Sequence, residues 1–478
     1  MSELSVTRPR PNVIVPVLAL GGVVVAVMQT LVVPLLPILP GLIGASAADT
    51  SWAITATLLA GAVATPVVGR LGDMYGKRRM LLISLAILIA GSVVAALSST
   101  LVPLIVGRAL QGAAIPAIPL GISIMRDELP AERLGSATAV MSASLGVGGS
   151  LGLPAAAILA ENTNWHMLFW TSAALGAVVF ALILTCVPES SVRTGGHFDV
   201  VGAIGLSAGL ICLLLAISKG ADWSAGLTYS LLGAGAVVLA VWGWWELRTR
   251  DALVDLRTTV RREVLLTNGA SVVLAFSMFV MSLAFPQILQ LPTATGYGLG
   301  QSMLNTGLVL VPSGLVMMAV APVSARLSRA RGPKVTLVLG SAIVAVGYAL
   351  GIVLMSAIWQ LVLISALVGA GIGFAYGAMP ALIMSAVPVS ETAAANGLNS
   401  LMRSIGTSVS SAVAGVILAH MTISFGPVSV PSQGGFRLIM AIGSATALAA
   451  AAVAAFIPAR QTGHSGATPV RAAVPVPR

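Results

Sequence analysis

The chain has 478 residues, 57% of them hydrophobic and only 8% charged, with a mean hydropathy of +1.00. A water-facing surface needs roughly 25% charged residues, so the composition excludes a soluble globular protein and implies a polytopic membrane protein. The formal charge of +10 does not point to nucleic acid, because the bases sit in loops rather than in one patch. Cys186 and Cys212 lie in or beside apolar runs and imply neither a disulfide framework nor a metal site. The first apolar run follows Arg8 and Arg10 and continues for about 20 residues without a small-residue cleavage site, so it reads as a retained span rather than a signal peptide.

A helix needs about 20 apolar residues to cross the hydrocarbon core. Runs of that kind are expected near 13–36, 51–70, 80–98, 101–124, 135–158 and 167–187. Two follow at 199–217 and 227–246, and six more at 265–288, 303–325, 335–356, 359–386, 397–420 and 437–457, which makes fourteen. With the N-terminus cytoplasmic, 21 bases fall in inside loops and tails, from Arg8 and Arg10 to Arg460, Arg471 and Arg478. Only Lys219 and Arg437 fall outside. That positive-inside asymmetry fits an even number of spans with both termini cytoplasmic.

An internal repeat is also legible. A shift of 256 places Pro66, Arg70, Leu71 and Gly76 on Pro322, Arg326, Leu327 and Gly332. Two helical halves in parallel repeat are a known way of building a secondary transporter. The expected organisation is a six-helix bundle over 1–190, two inserted helices and a basic linker over 191–263, a second six-helix bundle over 264–460, and a disordered cytoplasmic tail over 461–478. The linker at 246–263 mixes charge with Leu and Val and is expected along the cytoplasmic face, either docked there or as a solvated segment.

The densest charged stretch is Gly69–Arg79, GRLGDMYGKRR, between two membrane-length runs, and it must lie at a bilayer surface. Its glycines permit a tight turn and close helix approach, and Asp73 can accept from the free N–H groups of a helix start. Gly69, Leu71, Asp73, Gly76, Lys77, Arg78 and Arg79 resemble the signature of the major facilitator superfamily. The resemblance implies the major facilitator fold and a gating latch, in which Asp73 grips the eleventh core helix near Asn396-Gly397 and Arg78 pairs with Asp127. A positive-inside turn without a gating role is the alternative.

Arg108, Gln111 and Gly112 resemble the family's fourth-helix motif, which implies a role for Arg108 in proton transfer or coupling. The alternative is a structural arginine satisfied by backbone carbonyls. Gly146, Gly148, Gly149, Gly152 and Pro154 resemble the glycine–proline motif of the family's exporters, although Gly152 and Pro154 are not adjacent. Plain small-residue packing accounts for the same residues. Phe198-Asp199-Val200-Val201-Gly202 resembles the opening of the extra helix pair in the fourteen-span drug:proton antiporter branch.

One departure stands out. Met28 occupies the place of that branch's usual first-span acid, and none of the fifteen acids falls deep in a span. The embedded bases are Arg108 and Arg403, with Arg403 expected near the cytoplasmic start of its span. Neutral, amphipathic or anionic substrates are therefore expected over strongly cationic ones. Gln29, Gln287, Asn305, Tyr376 and Asn399 are candidate cavity residues beside Met28, with ordinary helix packing as the alternative for each. His166 and His420 read as helix-end caps.

The functional expectation is a secondary exporter of small amphipathic or apolar compounds, of the multidrug efflux type, driven by proton antiport and alternating access. An exporter or importer of a specific metabolite or lipid precursor is the first alternative, and a non-transporting membrane scaffold or sensor the second. No enzyme motif, cofactor or metal spacing is present in the sequence, and neither nucleic acid nor an obligate protein partner is implied. Arginine outnumbers lysine 22 to 3, which suggests a GC-rich bacterium and its cytoplasmic membrane.

Overall fold

The computed structural model describes residues 11–35, 38–190, 192–220, 222–425 and 428–458. The tail at 461–478 and the bases Arg8, Arg10, Arg460, Arg471 and Arg478 lie outside the described residues. Among the described residues, fourteen helical segments are long and apolar enough to span a membrane, the broken helix Leu101–Glu128 counted as one. The chain begins with α1 (Pro11–Thr30), short helices α2 (Leu39–Ile43) and α3 (Ala47–Thr50), then α4 (Trp52–Tyr75) and α5 (Lys77–Ala96). It continues through α6 (Leu101–Gly112), α7 (Ala117–Glu128), α8 (Ala131–Asn162), α9 (His166–Cys186), α10 (Val200–Lys219), α11 (Ala225–Glu246) and the single turn α12 (Leu256–Thr259). The last part comprises α13 (Arg262–Gln290), α14 (Met303–Arg331), α15 (Pro333–Val353), α16 (Ile358–Ala386), α17 (Thr392–His420) and α18 (Gln433–Ala455).

Two local departures from the expected runs have identifiable causes. The first span ends at Thr30 rather than near residue 36, and a 3-10 turn at Val33–Leu35 follows in a proline-rich stretch. The fourth span is broken into α6 and α7. Pro116 cannot donate to Gly112, and the chain crosses the gap with the tighter bonds Ala114 N–H to Gln111 O and Ile115 N–H to Gly112 O. An antiparallel hairpin, β1 (Thr422–Phe425) with β2 (Val428–Pro431), joins α17 to α18 between the expected runs.

Two large apolar clusters organise the bundle. One is built on α1, α5, α7 and α9, the other on α13 to α16 and α18. The repeat has a backbone counterpart: Gly76 and Gly332 each make a one-residue turn between antiparallel helices, with φ of +117° and +87°. An L side chain is disfavoured there, which explains glycine at both positions. The dense 69–79 stretch is therefore mostly helix, with Asp73 on the last turn of α4 rather than in a loop.

The inserted pair lies outside the two clusters. α10 packs across the seam between α4 and α17, where Leu206, Leu210 and Leu214 meet Ala62, Leu398 and Leu401. Leu253 and Val254 of the linker are buried in the same cluster, so the linker is docked. α11 leaves Val237, Val241, Trp244 and Trp245 facing outward, as a lipid-facing helix does.

Candidate functional site

Asp73 ends α4 with its carboxylate fully buried. Oδ1 accepts from the Ala393 N–H at 3.2 Å and Oδ2 from the Ala394 N–H at 2.9 Å. These are free donors of the first turn of α17, and a carboxylate at a helix N-terminus is stabilised by both the hydrogen bonds and the dipole. The grip is one turn earlier than Asn396-Gly397, because α17 starts at Thr392. Gly69, one turn back on α4, allows the approach: a Cβ there would lie 2.9 Å from the Ala393 carbonyl.

Asp73 does not stand alone. The Lys77 ammonium, also fully buried, lies 3.6 Å from Asp73 and 2.7 Å from Asp127. Ser190 donates to the same Asp127 oxygen at 2.5 Å. The expected Arg78–Asp127 pair is thus corrected: Lys77 takes that role, because the turn at Gly76 points the first base of α5 inward. Arg78 instead donates to the Leu184 carbonyl at 2.5 Å. The N–H groups of Arg78 and Arg79 are capped by the Glu189 carboxylate at 3.1 and 3.0 Å, while the Arg79 side chain is exposed. The only mark of Glu189 in the sequence is a polar break after α9.

The same end carries a second bridge that sequence reasoning missed. Arg126, the residue before Asp127, donates to the Met384 carbonyl at 2.8 Å, the Val387 carbonyl at 3.1 Å and Thr392 Oγ1 at 2.5 Å. Its guanidinium satisfies orphan carbonyls at the end of α16 while touching the start of α17. Arg329 donates to the Glu132 carbonyl at 3.1 Å, linking α14 to the start of α8. Arg261 donates to the Ala386 carbonyl at 2.8 Å.

Deeper in the bundle, Arg108 is 1% exposed. Its Nε donates to the Ala53 carbonyl at 3.0 Å, and one Nη to the Met28 carbonyl at 3.1 Å and to Gln111 Oε1 at 2.7 Å. Gln111 passes the chain to Ser92 at 2.8 Å. This is how a helix-to-helix pin is built, from α6 to α1 and α4. Arg403 differs. It lies twelve residues into α17, not near its start, and donates to Asn399 Oδ1 at 2.7 Å with Tyr376 beneath it, 5.2 Å from ring centroid to guanidinium carbon. Asn399 donates in turn to Asn268 Oδ1 and Ser271 Oγ at 2.8 and 2.7 Å.

The glycine–proline stretch of α8 faces two neighbours. Gly148 and Gly152 abut α1 at Val23 and Thr30, whereas Gly146 and Pro154 abut Met317 and Gly307 of α14; Gly149 meets nothing within 4 Å. Gln29 and Gln287 are half-buried near the far ends of α1 and α13. Asn305 is exposed in the first turn of α14, donating to Gln301 at 3.2 Å, and is not an interior residue. His166 opens α9 and His420 closes α17, where its Nδ1 contacts the Val416 carbonyl at 2.9 Å.

The family model described as Major Facilitator Superfamily matches residues 18–411 and 307–477. An uncharacterized MFS-type transporter of Mycobacterium tuberculosis is 28% identical over 441 residues, 88% of this chain and 63% of that protein. The chain thus spans 63% of the length of the first such relatives. The tetracenomycin C resistance and export protein of Streptomyces glaucescens is 28% identical over 86% of this chain and 76% of its own. Multidrug resistance protein Stp of Mycobacterium tuberculosis is 26% identical over 77% and 68%. Among solved structures, the human organic anion transporter MFSD10 shares the fold, with a TM-score of 0.67, 15% identity, and coverage of 93% of this chain and 100% of its own.

Proposed function

The chain belongs to the major facilitator superfamily, and from that premise we propose that it is a multi-pass membrane transporter that exports small amphipathic or apolar compounds across a bacterial cytoplasmic membrane by proton antiport. The observation that carries the reading is the double hydrogen bond from Ala393 and Ala394 to Asp73. It exists only while α4 and α17 meet, so a carrier that opens at this end has to break it. The latch is then one state of a two-state element, as alternating access requires. Lys77, Asp127 and Arg126 set its stability, and Gly69 and Gly76 its geometry. The small-residue contact of α8 with α14 supplies a second hinge surface between the halves.

Export rather than import is favoured by the relatives named for resistance and for export. Proton coupling has to run without a first-span acid, since Met28 holds that place. Transport in everted vesicles with an imposed pH gradient tests the proposal. Collapse of the gradient on adding neutral amphiphiles supports antiport; uptake without proton movement removes the coupling, and no uptake across a broad panel returns the metabolite or scaffold readings.

A further inference from the structure

We propose that Arg403 anchors a binding site for organic carboxylates within the transport pathway, an inference that rests on the exporter reading and names its substrate class. Arg403 lies about 17 Å along α17 from its start, at 1.5 Å per residue, in the middle of a span. A guanidinium at that depth persists only with partners or beside a polar cavity. The bundle encloses it, yet its side chain is only part-buried and keeps accessible surface, as for a group that borders an internal space. Arg108 is the internal contrast: it is sealed, and its donors are directed at two carbonyls and Gln111.

The hydrogen-bond inventory around Arg403 has donors in excess. Of its five N–H groups, the hydrogen bond found is the one to Asn399 Oδ1 at 2.7 Å, and no described carboxylate forms an ion pair with it. Asn399 spends its own amide protons on Asn268 Oδ1 and Ser271 Oγ. That leaves the Asn268 amide nitrogen, 5% exposed as a residue, buried without an acceptor. An orphaned buried donor is costly, and it sits on the far side of the same asparagine that Arg403 grips. A carboxylate supplies what the guanidinium lacks: two oxygens that accept from its unused fork. The face of Tyr376, 5.2 Å from the guanidinium carbon, fixes its plane and offers an apolar wall to the rest of the molecule.

The test uses the purified full-length protein and three probes with one body: naphthalene-2-carboxylate, its neutral carboxamide, and the naphthylmethyl trimethylammonium cation. Calorimetric titration is expected to show the carboxylate binding at least about tenfold more tightly than the carboxamide, with the cation weakest. Arg403→Gln should abolish that preference while leaving carboxamide binding in place. Asn268→Leu, which removes the acceptor that orients Asn399 against the guanidinium, should reduce it severalfold. If Arg403→Gln does not fold, Arg403→Lys, which keeps the charge and loses the fork, should weaken the carboxylate alone. A wild type without the preference, one that binds none of the three, or a variant that keeps the full preference overturns the inference. Because binding is read without transport, carboxylate preference with no vesicle export would fail the exporter reading alone. Export of neutral compounds with no carboxylate preference would fail only the Arg403 site.

Discussion

Asp73 and Arg329 occupy matching turns of the two halves, 256 residues apart, and reach across the molecule with opposite polarity. Asp73 accepts from two N–H groups at the start of α17, whereas Arg329 donates to a carbonyl at the start of α8. The sequence suggests that the second half has lost its latch; the geometry shows a contact of inverted sign. The two are unequal in strength, because Asp73 is fully buried and Arg329 is exposed. Exposed contacts contribute little and buried charge-assisted ones more.

Asp73→Asn keeps one acceptor and loses the charge. Its expected cost to the closed end is about 1.5–3 kcal/mol, enough to shift a two-state balance by roughly 10- to 150-fold. Insertion should be unaffected and export slowed. Spin labels at Tyr75 and Val389, both exposed and one in each half, should report a longer mean distance in the variant, with Cys186 and Cys212 replaced. An unchanged distance distribution would reduce the motif to a topology signal.

Arg126 should matter as much as Asp73, although nothing in its neighbourhood advertises it. Arg126→Ala strands the Met384 and Val387 carbonyls together, and Arg126→Lys keeps the charge but not the fork. Export should fall at least about tenfold in the alanine variant and partly recover in the lysine variant, since a charged hydrogen bond contributes roughly 1.5–3 kcal/mol. Equal activity of wild type and Arg126→Ala would remove Arg126 from the gate.

What could be read in advance follows from what kind of partner each residue has. The fourteen spans were legible because run length is a property of the sequence itself. The Gly–Asp–Gly frame was legible for the same reason, as spacing along one helix and turn. Arg126 was not, since its partners are mostly backbone carbonyls more than 250 residues away, which carry no side-chain identity. Choosing Lys77 over Arg78 for Asp127 needed the rotation of α5 after Gly76, a dihedral that three consecutive bases do not encode. Asn305 failed as an interior residue because α14 begins at Met303 and leaves it on an exposed first turn.

Lys77→Met should be the most destabilising change at this end. It leaves Asp73 and Asp127 buried with their common cation gone, and breaking a buried pair typically costs about 3–5 kcal/mol. Lys77→Met with Asp127→Asn should recover part of that loss. Thermal unfolding followed by size-exclusion fluorescence gives the four corners of the cycle. Additive losses would show that the two side chains do not interact.

Glu246 closes α11 with one oxygen accepting from the Val254 N–H at 2.5 Å and the other buried without a donor. Asp199 lies on the same side, and Gly202 leaves room for both carboxyls. Glu246→Gln keeps an acceptor for Val254 and adds an N–H that Asp199 can accept. Its unfolding temperature should equal or exceed wild type. Glu246→Ala should release the linker, with a loss of about 1–3 kcal/mol and faster proteolysis near Arg250. Destabilisation by Gln comparable to that by Ala would mean the pair is not held as described.

The glycines of α8 allow packing and gating to be separated at single positions. Gly146 faces α14, and Gly314 of α14 faces back, with a Cβ at Gly314 lying 2.5 Å from the Gly146 carbonyl. Backbone cannot move aside as a flexible side chain can, so Gly314→Ala has to push the helices apart along a seam that joins the halves. Gly149, three residues from Gly146, meets nothing within 4 Å, and alanine there costs no contact and is the better helix former by about 1 kcal/mol. If α8 acts through its α14 face, Gly149→Ala should transport like wild type while Gly146→Ala and Gly314→Ala lose transport before they lose expression. If instead the glycines serve as a flexible hinge within α8, Gly149→Ala should be as damaging as Gly146→Ala, because stiffening a hinge does not depend on which face the glycine occupies. Initial export rates of the three variants, normalised to protein in the membrane, separate the two mechanisms. The face-dependent pattern is the one expected, since α8 already runs as one continuous helix through Pro154 from Ala131 to Asn162.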